Sequence, residues 1–164
     1  MMNVDKLLIN INYPDYPVYI SHSPSEKDLN IFINQITLHN IKHIVRLCES
    51  FYDSNNFTKL GIKVYDWVYE DGAIPSQEII DNWIELIKLK EPILVHCRAG
   101  LGRAPFLATL GLIENNVDPY DAIDMIRNVR PKALNKIQLE YLLKYKPKKL
   151  NKSNSLKKLF GKFF

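Results

Sequence analysis

A cysteine and an arginine stand with five residues between them, two of them glycines, in Val95-His96-Cys97-Arg98-Ala99-Gly100-Leu101-Gly102-Arg103-Ala104-Pro105. A short apolar run precedes them and a helix-forming run follows. A loop of this length can wrap so that its backbone N–H groups converge, and those donors with a helix N-terminus make a cradle for a phosphate dianion. Gly100 and Gly102 are expected to take positive φ and let the backbone approach the oxygens. The same field favours the thiolate of a cysteine at its floor, which makes Cys97 the candidate nucleophile. Arg103 can hold two phosphoryl oxygens in a bidentate fork and stabilise them during transfer. Residues Arg98, Ala99, Gly100, Leu101, Gly102 and Arg103 are thus read as the phosphate-binding loop, with His96 ordering it.

Transfer through a cysteine also needs a carboxyl group to protonate the leaving oxygen and later activate water. Asp66, Glu70 and Asp71 lie in one loop-forming stretch and are the candidates. Asp71-Gly72 reads equally well as an ordinary turn. Cys48, the other cysteine, is either a small buried hydrophobe or a resolving thiol that forms a reversible disulfide with Cys97. Four histidines and two cysteines show no metal-ligand spacing, so neither metal nor cofactor is expected.

The elements that position these residues follow from patterning. Leu7–Ile11, Val18–Ile20, His43–Cys48, Ile62–Tyr65 and Ile93–Val95 read as strands. Ser23-Pro24-Ser25-Glu26 reads as a helix start with Ser23 as cap, and Leu29, Phe32, Ile33 and Ile36 follow at helical spacing. Ser76 caps a helix carrying Ile79, Ile80, Trp83, Leu86 and Ile87. A helix after the glycine loop carries Phe106, Leu107, Leu110 and Ile113. Asp118-Pro119 and Asn135 with Gln138 open two more. Strands alternating with helices, then a run of helices, predict a single-domain α/β fold with a mostly parallel sheet flanked by helices. The glycine loop then falls at a strand's carboxyl end, where such sheets place their ligands.

His96 to Arg103 resembles the signature loop of the cysteine-based protein phosphatases, in particular the dual-specificity branch. Ala99-Gly100-Leu101-Gly102-Arg103-Ala104-Pro105 is similar to the loop of the phosphatases of regenerating liver. The likeness runs over about residues 5–147 through Ile44-Val45-Arg46-Leu47-Cys48-Glu49, Asp66-Trp67, Asp71-Gly72-Ala73 with Pro75-Ser76, and Leu139 to Pro147. It implies the cysteine-phosphatase fold, and a phosphatase acting on phosphotyrosine, with phosphoserine and phosphothreonine as further substrates, through phospho-Cys97. It also implies Asp71 as acid and base and a redox role for Cys48, since the family carries a cysteine in the same setting. Ala104 stands where many cysteine phosphatases carry a hydroxyl that steadies the leaving sulfur, so slow turnover is expected. Arg98 replaces a small apolar residue and Arg130-Pro131-Lys132-Ala133-Leu134-Asn135 differs from the family's basic turn. The extra charge of Arg98 keeps a phosphoinositide or RNA 5′-phosphatase open as an alternative. A mainly binding role toward a CBS-domain magnesium transporter, a partner of the resembling family, is another.

The 164 residues, 46% hydrophobic and 24% charged, exclude collagen-like, wholly disordered and disulfide-scaffold chains. Neither a secretory signal nor a membrane span is read, so the cytoplasm is the default compartment. Eight lysines and no acidic residue from Lys144 onward turn the whole-chain +4 into −4 for residues 1–143. Residues 1–147 are taken as the phosphatase domain and 148–164 as a basic tail. In the tail, Leu156, Leu159, Phe160, Phe163 and Phe164 alternate with Lys157, Lys158 and Lys162 as in a short amphipathic helix. The family's prenylation box is missing from the Gly161-Lys162-Phe163-Phe164 end. The tail is therefore expected to reach an anionic membrane surface by charge and apolar contact, in preference to nucleic acid.

Overall fold

Five strands form one sheet in the order β1-β2-β5-β3-β4 in the computed structural model, which describes residues 7–148. The strands are β1 (Ile9–Asn10), β2 (Val18–His22), β3 (His43–Arg46), β4 (Lys63–Asp66) and β5 (Ile93–Cys97). Only the β1–β2 edge pair is antiparallel. The β2–β5, β5–β3 and β3–β4 pairs are parallel. The mostly parallel α/β expectation therefore holds.

Strand β5 is buried along its whole length. Its alternation divides the site chemistry between two cores. Ile93, Val95 and Cys97 join the larger core, and Leu94 packs in the smaller one with Phe32, Ile36, Ile44 and Phe57. Helix α1 (Leu29–Leu38) and the four-residue α2 (Asn55–Thr58) contribute to the smaller core. Helices α3 (Gln77–Ile87), α4 (Arg103–Glu114), α5 (Pro119–Val129) and α6 (Lys136–Lys144) contribute to the larger. Every residue of α4 from Arg103 to Ile113 is buried. A helix that is apolar around most of its circumference is one enclosed by its neighbours.

Local signals set most helix starts. Ser76 Oγ accepts from Ile79 N–H, and Asp118 accepts from the N–H groups of Tyr120 and Asp121 with Pro119 in the first turn. Asn135 and Gln138 form a reciprocal capping box.

Several expectations need correction. The segment after Ser23 stays extended: a 3₁₀ turn begins at Glu26, the Ser25 hydroxyl donates to Asp28 (2.7 Å), and α1 starts only at Leu29. The first strand is shorter than expected. Strand β3 ends at Arg46, so Cys48 lies two residues past it. Helix α2 falls in a stretch that carries no helical periodicity. Among the described residues no helix is long and apolar enough to cross a membrane. The proposed tail falls outside the described residues except for Lys148, whose N–H donates to Glu114 (3.2 Å) and whose ammonium pairs with Asp81.

Candidate active site

Cys97 is the last residue of β5 and Arg103 the first of α4, so the loop 98–102 turns the chain from strand to helix. Its carbonyl oxygens are bound from outside in succession. Arg98 O accepts from Ser23 N–H (3.1 Å), Leu101 O from Leu134 N–H (2.9 Å) and Gly102 O from Phe106 N–H (2.9 Å). Between them, Ala99 O accepts from Arg130 Nη2 (2.7 Å) and Gly100 O from Arg130 Nε (3.0 Å). In a trans peptide the N–H opposes the C=O. Anchoring the carbonyls outward therefore turns the amides inward, as a phosphate cradle requires.

One of these inward amides is seen at work: Gly100 N–H donates to Cys97 Sγ at 3.2 Å. Gly100 has φ +69°, and a Cβ there would lie 3.0 Å from Ser21 O and 3.1 Å from Arg130 Nη2. The residue must therefore be glycine for both conformation and space. Gly102 differs from expectation, with φ −123°. Its lack of a side chain instead leaves room for Asp71, whose Oδ1 would sit 3.3 Å from an added Cβ.

The Arg103 side chain is 91% buried. Its Nη1 donates to Leu47 O (3.1 Å) and Tyr69 O (2.9 Å), which fixes its plane. Its Nε makes no hydrogen bond and lies 3.6 Å from Asp71 Oδ1. A buried charged donor without a hydrogen-bond acceptor is costly unless a ligand completes it. Asp71 itself is 77% exposed and sits over the loop. A cleft of about 330 Å³ opens beside it, lined by Asp71, Gly102, Lys132 and Gln138 among others.

Asp66 behaves as a structural residue: it accepts two hydrogen bonds from Arg46, at 2.6 and 2.8 Å. Glu70 is exposed, and its backbone carbonyl closes the turn to Ala73. Of the three loop carboxylates, Asp71 is the one paired with Arg103.

His96 points to the opposite face of the sheet from Cys97, with Nε2 2.6 Å from the Tyr52 hydroxyl and an edge-on contact to Phe32. Burial drives its pKa down to about 4, so it is neutral at physiological pH. It orders the strand beneath the loop through Tyr52. Burial pushes the Cys48 thiol up; the charge of Arg103 opposes this and Cys97 adds to it. Cys48 and Cys97 are both buried and free. Burial, with the nearby Cys97 adding to it, likewise holds the Tyr69 phenol well above its ordinary range, and its hydroxyl donates to Arg103 O (3.2 Å). Arg98 is exposed, with its guanidinium over the Phe51 ring (5.2 Å). Ala104 is fully buried.

Sequence reasoning gives no site role to three residues found here: Tyr69, Gln138 and Arg130. Gln138 reads only as a cap and Arg130 only as part of a basic turn, yet Gln138 Nε2 is buried without a partner beside Gly102. Arg130 lies 30 residues from the carbonyl it binds, and no local pattern marks such a contact. Among the described residues no cluster of three or more His, Cys, Asp or Glu could hold a metal.

A cysteine in an amide-lined loop, a buried arginine and an overhanging carboxylate on this sheet are the arrangement a cysteine-dependent phosphatase needs. Residues 19–114 match the family described as "Polymorphic toxin system, DSP-PTPase phosphatase". The chain is 42% identical over 146 residues to mouse protein tyrosine phosphatase type IVA 2, covering 85% of this chain and 87% of that one. It is 40% identical over 136 residues to the protein tyrosine phosphatase PRL-1 of Trypanosoma cruzi, covering 79% and 77%. A Leishmania major structure described as a protein tyrosine phosphatase superposes with a TM-score of 0.72 at 35% identity, over 85% of this chain and 98% of that one. The chain belongs to the type IVA, or PRL, family of protein tyrosine phosphatases. It is a phosphatase, and its substrates are phosphorylated. These relatives favour phosphoprotein over the lipid and RNA alternatives.

Proposed function

We propose that hydrolysis runs in two steps through phospho-Cys97. The thiolate sulfur attacks the phosphorus of phosphotyrosine, an S–P bond forms and the P–O bond to the phenol breaks. Asp71 delivers its proton to the departing oxygen. Asp71 then takes a proton from water, whose oxygen attacks phosphorus, and the S–P bond breaks to release inorganic phosphate and the thiolate. Arg103 and the inward amides hold the equatorial oxygens throughout. The observation that carries this reading is the buried Arg103 Nε, which has no hydrogen-bond acceptor and lies beside Asp71 over the same loop as Cys97. Acid quenching during turnover should trap phosphate on the Cys97 peptide, and Cys97→Ser should lose both the adduct and the activity. Turnover by Cys97→Ser within tenfold of the parent protein would overturn the mechanism.

Redox control belongs to the same site. Peroxide oxidises the Cys97 thiolate to sulfenic acid and is itself reduced to water. The Cys48 thiol then attacks that sulfur, forming the disulfide and releasing a second water. The Cys97 sulfur lies near enough to Cys48 to help push its thiol up, and both are buried and free, which supports this. A 48–97 linked peptide after mild peroxide is the expected product, and its absence would remove the proposal. In the cytoplasm, the lysine-rich residues 148–164 are proposed to add weak, salt-sensitive membrane contact. A CBS-domain transporter is a proposed partner at the active-site face.

A further inference from the structure

The geometry points to Arg130 as a positioning residue that activates Cys97 through a single peptide group. The Ala99–Gly100 peptide carries Arg130 Nη2 on its carbonyl at 2.7 Å and Cys97 Sγ on its N–H at 3.2 Å. A cation on the oxygen draws electron density from the nitrogen, which makes the N–H a stronger donor to negative sulfur. The next peptide is held in the same way, through Arg130 Nε on Gly100 O at 3.0 Å. One guanidinium thus sets two consecutive amides of the cradle.

The arginine is itself held in place by structure rather than by chance contact. It is the residue following α5, and its carbonyl accepts from Ala133 N–H at 3.0 Å. Arg127 clamps the same turn from α5, donating to Ala133 O (3.0 Å) and Leu134 O (3.3 Å). Lys132 and Leu134 sit at φ +72° and +73°, a conformation costly for non-glycine residues. The turn holds that strain while Leu134 N–H bonds Leu101 O at 2.9 Å. Strained backbone kept in place by several bonds, next to reacting atoms, is a feature of functional positions.

Other groups also face the sulfur. Arg103 and Arg98 supply positive charge, Cys48 and Tyr69 are held neutral, His22 is the β2 residue in register with Cys97, and Asp71 lies beyond Arg103. Arg130 differs from these in acting on the sulfur through the peptide whose N–H the sulfur accepts. This inference rests on Cys97 being the nucleophile.

The test is alkylation of Cys97 by iodoacetamide in the full chain, followed by mass spectrometry of its peptide. Arg130→Gln should be alkylated three- to tenfold more slowly than the parent protein at pH 6.5. The rates should converge at pH 9, where the thiolate no longer needs help. kcat/KM on an aryl phosphate should fall by at least the same factor at pH 6.5, and less at higher pH. Arg130→Lys, which restores the charge without the two-pronged fork, should recover part of both. A folded Arg130→Gln with unchanged alkylation at pH 6.5 would overturn the proposal, whatever its turnover. If Arg130→Gln does not fold, Arg130→Met, which also removes the charge and the fork, decides by the same criterion. The nucleophile reading fails by a separate result, turnover that survives Cys97→Ser.

Discussion

Asp71 Oδ1 lies 3.6 Å from Arg103 Nε, with the aspartate 77% exposed and the arginine side chain 9% exposed. The distance exceeds a hydrogen bond, and an ion pair with one solvated partner contributes about 0–1 kcal/mol. The tether is weak enough to break when a phosphoryl group takes the arginine. It is close enough to leave the carboxyl over the loop, where the proposed mechanism needs its acid. A general acid that must surrender its resting partner to the substrate needs this balance.

Asp71→Asn should therefore lower kcat on phosphotyrosine peptides by about a hundredfold or more, with KM little changed. The loss should shrink on an aryl phosphate whose phenol leaves without protonation. Equal losses on both substrates would assign Asp71 to phosphate binding. Asp66→Asn should act differently, because it weakens the fork from Arg46 and with it the 46–52 segment. Its main effect should be a lower unfolding midpoint.

Gly111 is the second position where the backbone tolerates no side chain. An added Cβ would meet Tyr16 Oη at 2.1 Å and Cζ at 2.8 Å, and that hydroxyl donates to Ala108 O at 2.8 Å inside the core. Gly111→Ala should destabilise the protein by about 1–3 kcal/mol or more, as overpacking does, read from the urea midpoint. Tyr16→Phe should not relieve it, because Cζ remains. Combining Gly111→Ala with Tyr16→Leu should cost less than the two single changes added together.

The parts of this molecule legible in its sequence are those whose causes are local. The caps at Ser76, Asp118 and Asn135 need only residues within one turn. The buried strand β5 needs only its apolar run, and the phosphate loop needs only Cys97 to Arg103. What could not be read depends on distance. Arg130 reaches Ala99 and Gly100 because α5 returns across the loop, and nothing near Arg130 records this. The Ser23-Pro24 start failed because Ser23 N–H is used by Arg98 O, a tertiary bond that keeps the segment extended. Sequence alone suggests a backbone role for Gly102, whereas the structure uses the space it leaves for Asp71.

Ala104 offers no hydroxyl to the sulfur that leaves phosphorus in the second step of the proposed mechanism, and it is fully buried in the first turn of α4. If breakdown of phospho-Cys97 limits turnover, the parent protein should show a burst of phenol followed by a slow steady state. Ala104→Ser should raise kcat up to about tenfold, equivalent to about 1.4 kcal/mol of barrier. A linear time course from the first turnover, or a kcat unmoved by serine, would place the slow step elsewhere.

Acid should weaken the fold through His96. Burial holds its folded pKa at about 4, against about 6.5 in an unfolded chain. Between these values the unfolded state binds the extra proton, so stability is fully present above about pH 6.5 and falls as pH drops toward 4. The loss should reach about 2 kcal/mol by pH 5 and about 3 kcal/mol below pH 4. His43 adds in the same direction: burial lowers it, while Glu91 opposes the shift. Urea unfolding at steps from pH 7.5 to 4.5 should show this slope in the parent protein. His96→Asn should start less stable, because the Tyr52 contact goes, yet lose less on acidification. The slope that His43 contributes should remain in that variant. A variant slope as steep as the parent's would show that His96 does not stay neutral in the folded protein. In that case the strand beneath Cys97 would carry a proton in the very pH range where the phosphate cradle has to work.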